Sequence, residues 1–218
     1  MVGKSSMLVG ASGLVGGELL NCLLNGKEYS KVLILVRKPL GVEHPKLEER
    51  LIDFEDLSRY KESFKVNDVF CCLGTTIKKA KSQAAFRKVD VEYPLDLARF
   101  AQEMGVEKFL VISSMGANPK SSVFYSRMKG LLEQQLKELS IKSLHIFRPS
   151  LLLGERKEFR IGESISTFLA KRIPLIFVGP LKKYKPITAK TVAEGMYKAA
   201  QSKNEGIYTY LSNEIEEI

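Results

Sequence analysis

The 218-residue chain has no tryptophan, two histidines and three cysteines. His44 lies in a polar stretch and His145 alternates with apolar neighbours, and neither has a second ligand-type partner nearby, so no metal site is expected. Cys22, Cys71 and Cys72 are odd in number, sit in apolar runs and lack metal-type spacing. That excludes a disulfide scaffold and marks all three as core residues of a reduced protein. No apolar run is long enough to cross a bilayer. The opening Met1-Val2-Gly3-Lys4 runs straight into a strand pattern, leaving no room for a signal peptide. These absences lead to the expectation of a soluble, cytoplasmic protein with no membrane partner. Acidic residues are outnumbered, 25 against 34 Lys and Arg, for a net charge of +9. Such an excess invites a nucleic-acid reading, but the cations are dispersed and no aromatic-rich RNA motif accompanies them. No nucleic acid is expected as partner; a basic field that draws in an anionic cofactor or substrate fits as well.

What is present is an ordinary globular composition, 44% hydrophobic and 27% charged, in a length that suits one domain over 1–218. The chain is organised around Val9-Gly10-Ala11-Ser12-Gly13-Leu14-Val15-Gly16-Gly17, which follows the apolar run Met7-Leu8-Val9 and opens the helical pattern Leu14, Val15, Leu19, Leu20, Leu23, Leu24. A helix N-terminus collects unpaired N–H groups and the positive end of a dipole, so it holds phosphate when side chains do not crowd the approach. The spacing G-x-x-G-x-x-G and the strand–turn–helix setting identify a dinucleotide cradle from Gly10, Ser12, Gly13, Leu14 and Val15.

Lys31-Val32-Leu33-Ile34-Leu35-Val36 is a second, continuously apolar strand, as in sheets covered on both faces. An NAD-binding protein usually carries an acid at the end of this strand for the ribose 2′-hydroxyl. Here Arg37 and Lys38 stand instead, and two cations favour a 2′-phosphate, hence NADP(H). A third strand, Leu47 to Ile52, ends at Asp53-Phe54, where the acid could face the adenine amino group while Asp56 or Glu55 caps the next short helix. Asp68 to Leu73 is a fourth strand running into Gly74-Thr75, at the carboxyl edge where such sheets bind ligands. The basic run Lys78, Lys79, Lys81 reads as a solvated loop. From Ser82 to Met104 the pattern is helical, with a kink or two helices expected at Pro94. Phe109 to Ile112 is the fifth strand, ending in Ser113-Ser114.

Tyr125 and Lys129 follow at helical i, i+4 spacing and share a face. An ammonium beside a phenol favours the phenolate, so the pair makes a tuned proton carrier. Ser114, or less favourably Ser113, could donate to a carbonyl oxygen as charge builds on it. Ser143 to Phe147 is the sixth strand, with His145 a packed strand residue. A lid or substrate-side segment is expected over 154–186, containing an amphipathic helix near Ser164 to Lys171 and the apolar stretch Ile173 to Pro180. A helix from Val192 to Ala200 and a last strand Gly206 to Leu211 complete the pattern.

Taken together, Gly10-Ala11-Ser12-Gly13, Cys71-Cys72-Leu73-Gly74-Thr75-Thr76, Val89-Asp90, Ser113-Ser114-Met115-Gly116-Ala117, Tyr125-x-x-x-Lys129-Gly130 and Phe147-Arg148-Pro149 resemble the short-chain dehydrogenase/reductase superfamily. Within it the chain is similar to the atypical branch of Tat-interacting-protein oxidoreductase-like proteins. The resemblance implies an α/β fold, a doubly wound parallel Rossmann-type sheet with a small C-terminal substrate-side lobe. It also implies NADP(H) and hydride transfer between nicotinamide and a small carbonyl compound. Tyr125 would be the proton donor, Lys129 would bind the nicotinamide ribose and tune the phenol, and Ser114 would polarise the carbonyl. Pro149, Ser150 and Leu151 would lie beside the nicotinamide. One position departs: many members carry asparagine where Asp90 stands, to hold a proton-relay water. Members of the branch also have regulatory roles, so an NADP(H)-binding module without turnover is the alternative, and a homodimer or protein partner stays open.

Overall fold

The computed structural model describes residues 3–154 and 179–218. Seven parallel strands form one sheet: β1 (Lys4–Val9), β2 (Tyr29–Val36), β3 (Leu47–Leu51), β4 (Asp68–Cys71), β5 (Lys108–Ile112), β6 (Ser143–Arg148) and β9 (Gly206–Leu211). Their order is β3-β2-β1-β4-β5-β6-β9, so the chain winds outward from β1 first to one side and then to the other. This is the doubly wound Rossmann-type sheet that the sequence implied, and its switch point lies between β1 and β4.

Central strands are apolar on both faces because helices cover both. On one face Met7, Leu33, Val69, Phe109 and Leu144 pack under α4 (Tyr93–Glu103) and α5 (Phe124–Lys137). On the other, Leu8, Ile34, Phe70, Leu110 and Phe147 pack under α1 (Leu14–Asn25) and α6 (Ala189–Ala199). Each such side chain contributes roughly 1.5–3 kcal/mol by leaving water, so register is strongly specified: a one-residue slip would exchange the two cores. Beyond β6, β7 (Leu152–Leu153) and β8 (Ile187–Thr188) pair as a small second sheet, Thr188 caps α6, and α7 (Ser212–Glu217) closes the chain. The expected helix near 164–171, and the apolar stretch 173–180 up to residue 178, lie outside the described residues. Among those described, no helix is long and apolar enough to cross a membrane.

One local expectation is corrected and another is sharpened. The lysines after Thr76 belong to a short helix, α2 (Ile77–Ala80), capped by the Thr76 hydroxyl. The helical stretch that follows is two helices, one of the two outcomes expected from Pro94. It runs as α3 (Gln83–Arg87), a π turn over Lys88–Glu92, then α4 with Pro94 in its first turn. Pro94 has no N–H to return to the preceding turn, and the Tyr93 N–H reaches back to the carbonyl of Lys88, one residue further than in an α-helix. The wide turn places Asp90 at the carboxyl edge of β4, and π turns are frequent at functional positions.

Candidate active site

The carboxyl ends of β1, β2, β4, β5 and β6 converge on one crevice, and nearly every residue singled out above stands on that edge. At its centre the glycine turn divides its work. Gly10 has φ +93, and a Cβ there would come within 2.5 Å of the Cys72 carbonyl oxygen; a Cβ on Gly16 would come within 2.1 Å of the carbonyl oxygen of Gly10. These two let strand, turn and helix close on one another. Gly13 is the N-cap of α1, exposed, with no side chain capping the first turn. The opening amides of α1, at Leu14 and Val15, therefore lack an intrahelical or side-chain acceptor, the arrangement a diphosphate requires. Ser12 is exposed beside them.

Arg37 and Lys38 follow β2 directly and are exposed, with no carboxylate in ion-pair contact among the described residues. Asp53 ends the β3 segment and is its own cap: its Oδ1 accepts from the Glu55 N–H at 2.9 Å, the role expected of Asp56 or Glu55. Phe54 is buried core, its ring 5.2 Å from that of Tyr93. The Tyr93 hydroxyl donates to Glu55 at 2.6 Å, and burial, followed by that carboxylate, pushes the phenol well up.

Beyond β4, Leu73 is half-buried, Gly74 is exposed and the Thr75 N–H donates to Asp90 Oδ2 at 2.7 Å. The other carboxylate oxygen of Asp90 lies 2.8 Å from Lys129 Nζ. Both residues are buried, Asp90 1% and Lys129 3% exposed. Burial works to lower the Lys129 pKa, but the charges of Asp90 and Tyr125 outweigh it and the ammonium is held above its ordinary range. Tyr125 sits half-buried one turn before Lys129, its ring 5.9 Å from Phe86 in an edge contact. Next to the pair, burial pushes the Cys71 thiol up to about 11, and burial pushes the Cys72 thiol well up, so neither offers a thiolate.

The structure also separates the two serines. Ser113 is buried and its hydroxyl donates to Glu133, which in turn accepts a forked pair of hydrogen bonds from Arg148, 2.9 and 3.1 Å from Nε. Ser114 is half-buried, and no partner holds its hydroxyl among the described residues. The Ser113–Glu133–Arg148 link, missed from sequence, ties β5, α5 and β6 together directly beneath the crevice. A signal for it existed: Glu133 lies one turn past Lys129 on the same inward face of α5. Gly130 between them permits the fit, since a Cβ there would lie 2.2 Å from the backbone of Asn118 and Pro119. Of the last predicted group, Pro149 accepts from the Met115 N–H at 3.1 Å. Leu151 accepts from the Ile187 N–H at 3.0 Å. Ser150 gives its N–H to Ser212 at 2.7 Å and its hydroxyl to the Lys185 carbonyl. The donors of Ser150 are thus already engaged.

Comparison with known proteins follows this geometry. The family model described as HIM1 matches residues 43–175. Protein HTATIP2 of Rattus norvegicus is 40% identical over 167 residues, 75% of this chain and 69% of that protein. Protein FMP52-1, mitochondrial, of Scheffersomyces stipitis is 31% identical over 210 residues, 92% of this chain and 90% of that protein. Among solved structures, MoeE5 in complex with UDP-glucuronic acid and NAD superposes with a TM-score of 0.73 at 17% identity, over 97% of this chain and 79% of that one. The expectation of a cytoplasmic protein is corrected by these relatives: FMP52 proteins carry mitochondrial in their names. A cytoplasmic address was read from the lack of an apolar leader, and that observation does not determine a compartment.

Proposed function

Because the chain belongs to the HIM1 family, whose HTATIP2-like and FMP52 members share its sequence, we propose that it is an atypical short-chain dehydrogenase/reductase that uses NADP(H) to reduce a small carbonyl compound. The observation that carries this reading is Tyr125 and buried Lys129 on one face of α5, with a half-buried Ser114 after β5 and an uncapped glycine-turn helix after β1. The opening amides of α1, with Gly10, Ser12 and Gly13, would hold the diphosphate. Arg37 and Lys38 would take the 2′-phosphate, Asp53 and Phe54 would flank the adenine, and Leu73, Gly74, Thr75 and Pro149 to Leu151 would line the nicotinamide half. The cofactor supplies or accepts the hydride.

The chain's own residues do the rest. The Ser114 hydroxyl donates to the carbonyl oxygen and offsets the charge that develops there. The Tyr125 phenol delivers the proton to the same oxygen, and Lys129, kept protonated by Asp90 and Tyr125, stabilises the phenolate left behind and binds the nicotinamide ribose. Asp90 stands where many members carry a neutral amide, and its carboxylate is held by the Thr75 N–H and the Lys129 ammonium.

The test is NADPH consumption against a panel of aldehydes, ketones and quinones. Tyr125→Phe is expected to lower turnover by roughly 10²–10⁴-fold while NADPH binding stays unchanged. No turnover across the panel, or an equally active variant, would overturn it. The 2.8 Å Asp90–Lys129 pair favours one second reading, a cofactor-sensing module that exchanges protein partners without turnover. Captured partners that do not change on adding NADPH would exclude it.

A further inference from the structure

The amino edge of the sheet, opposite the crevice, carries a row of polar residues the proposed reaction does not use. Ser6, Asp68, Lys108 and Ser143 are register partners across β1, β4, β5 and β6, and all four are buried. The next row on the same face of the sheet is Leu8, Phe70, Leu110 and His145. Buried polar groups are costly unless paired, and here the pairing is incomplete. Asp68 Oδ2 accepts from the Tyr29 hydroxyl at 2.6 Å and lies 3.3 Å from Lys4 Nζ, which also donates to the Ala200 carbonyl at 3.2 Å. The Ser143 hydroxyl lies 2.9 Å from His145 Nε2 and 3.0 Å from the Asn204 carbonyl oxygen.

Lys108 is left over. It is 7% exposed, and no carboxylate among the described residues lies within ion-pair distance of its ammonium. The charges that act on it are Asp68, already shared with Lys4, Glu107, whose carboxylate accepts from the Asn67 amide at 3.1 Å, and Lys4 itself, of like sign. Two ammonium groups thus face one buried carboxylate. Lys108 lines a cleft of about 330 Å³ with Ser202, whose buried hydroxyl has no partner, and with Lys203. The rim carboxylate of Glu205 is engaged by Lys142 at 3.0 Å.

We propose that this cleft is a second binding site, for a small anion bearing a phosphate group, held by the Lys108 ammonium and the Ser202 hydroxyl. The anion offsets the charge of the Lys108 ammonium and gives the Ser202 hydroxyl an acceptor. Lys203 supplies further attraction at the mouth. Burial holds the Lys108 pKa below its ordinary value, and a bound dianion raises it. The site shares no residue with the glycine-turn crevice, and its test is independent of the proposed reductase activity.

The test is a titration of the ¹⁵N-labelled full chain with sodium phosphate at constant ionic strength. Saturable shifts are expected at the amides of Lys108 and of residues 202–205, with affinity falling at least about tenfold in Lys108→Met. The same variant is expected to melt no lower than wild type without phosphate, because it removes an unpaired buried charge. Ser202→Ala, in the loop before β9, is expected to weaken phosphate binding on its own and serves if Lys108→Met does not fold. Absence of saturable shifts, shifts confined to the glycine turn, or unchanged affinity in Ser202→Ala together with unchanged affinity or no fold in Lys108→Met would overturn the proposal.

Discussion

Asp90 and Lys129 meet at 2.8 Å in the interior of the molecule, one on the π turn before α4 and the other on α5. Asp90 also accepts from the Thr75 N–H at 2.7 Å, so one carboxylate fixes the loop after β4 and the ammonium at once. Breaking a buried pair by removing one partner leaves an uncompensated charge and typically costs about 3–5 kcal/mol. Asp90→Ala is expected to lose that much in urea unfolding. The double variant Asp90→Ala/Lys129→Met is expected to recover a large part of it, because no charge is then stranded. A double variant as unstable as the single one would show that the loop contact, not the ion pair, dominates.

The adjacent Gly16 and Gly17 should respond oppositely to alanine. A Cβ on Gly16 would lie 2.1 Å from the Gly10 carbonyl oxygen, and that backbone has nowhere to go. Gly16→Ala is therefore expected to cost about 3 kcal/mol or more. On Gly17 the nearest atom is 3.6 Å away, and alanine in a helix interior is worth roughly 0.5–1 kcal/mol over glycine. Thermal unfolding of the two variants decides this: equal effects would contradict the close-packed turn.

His145 makes the protein acid-sensitive. It is fully buried, and desolvation, helped by the nearby Lys108 charge, lowers its pKa to about 4. The unfolded chain takes up a proton near 6.5 and the folded one does not until about 4. Stability is therefore complete above 6.5 and falls as pH drops between those values, by about 3 kcal/mol in all. Imidazole chemical shifts against pH should show a midpoint near 4; a midpoint near 6.5 would contradict the buried neutral ring.

Most of the fold was legible in the sequence because the inner parallel strands, covered on both faces, are continuous apolar runs; the edge strands β3 and β9 are not such runs. The glycine turn was legible for the same local reason. Asp53, Glu55 and Asp56 could each cap the next turn, and only backbone geometry selects Asp53 as the cap. The π turn was missed because Pro94 announces a break without saying where the displaced hydrogen bond goes. Ser113, Glu133 and Arg148 come together from three elements, and no local pattern announces a contact between them. The Ser113 and Ser114 alternatives were separated only by that contact, which engages Ser113.

The central claim is that the uncapped start of α1 binds the diphosphate of NADP(H) while Arg37 grips the 2′-phosphate. Calorimetric titration of wild type and Arg37→Asp with NADPH and NADH tests it most directly. Wild type is expected to bind NADPH at least about tenfold more tightly than NADH, and Arg37→Asp to lose that preference while still binding NADH. Failure of either dinucleotide to bind wild type, or a preference untouched by the substitution, would contradict the account.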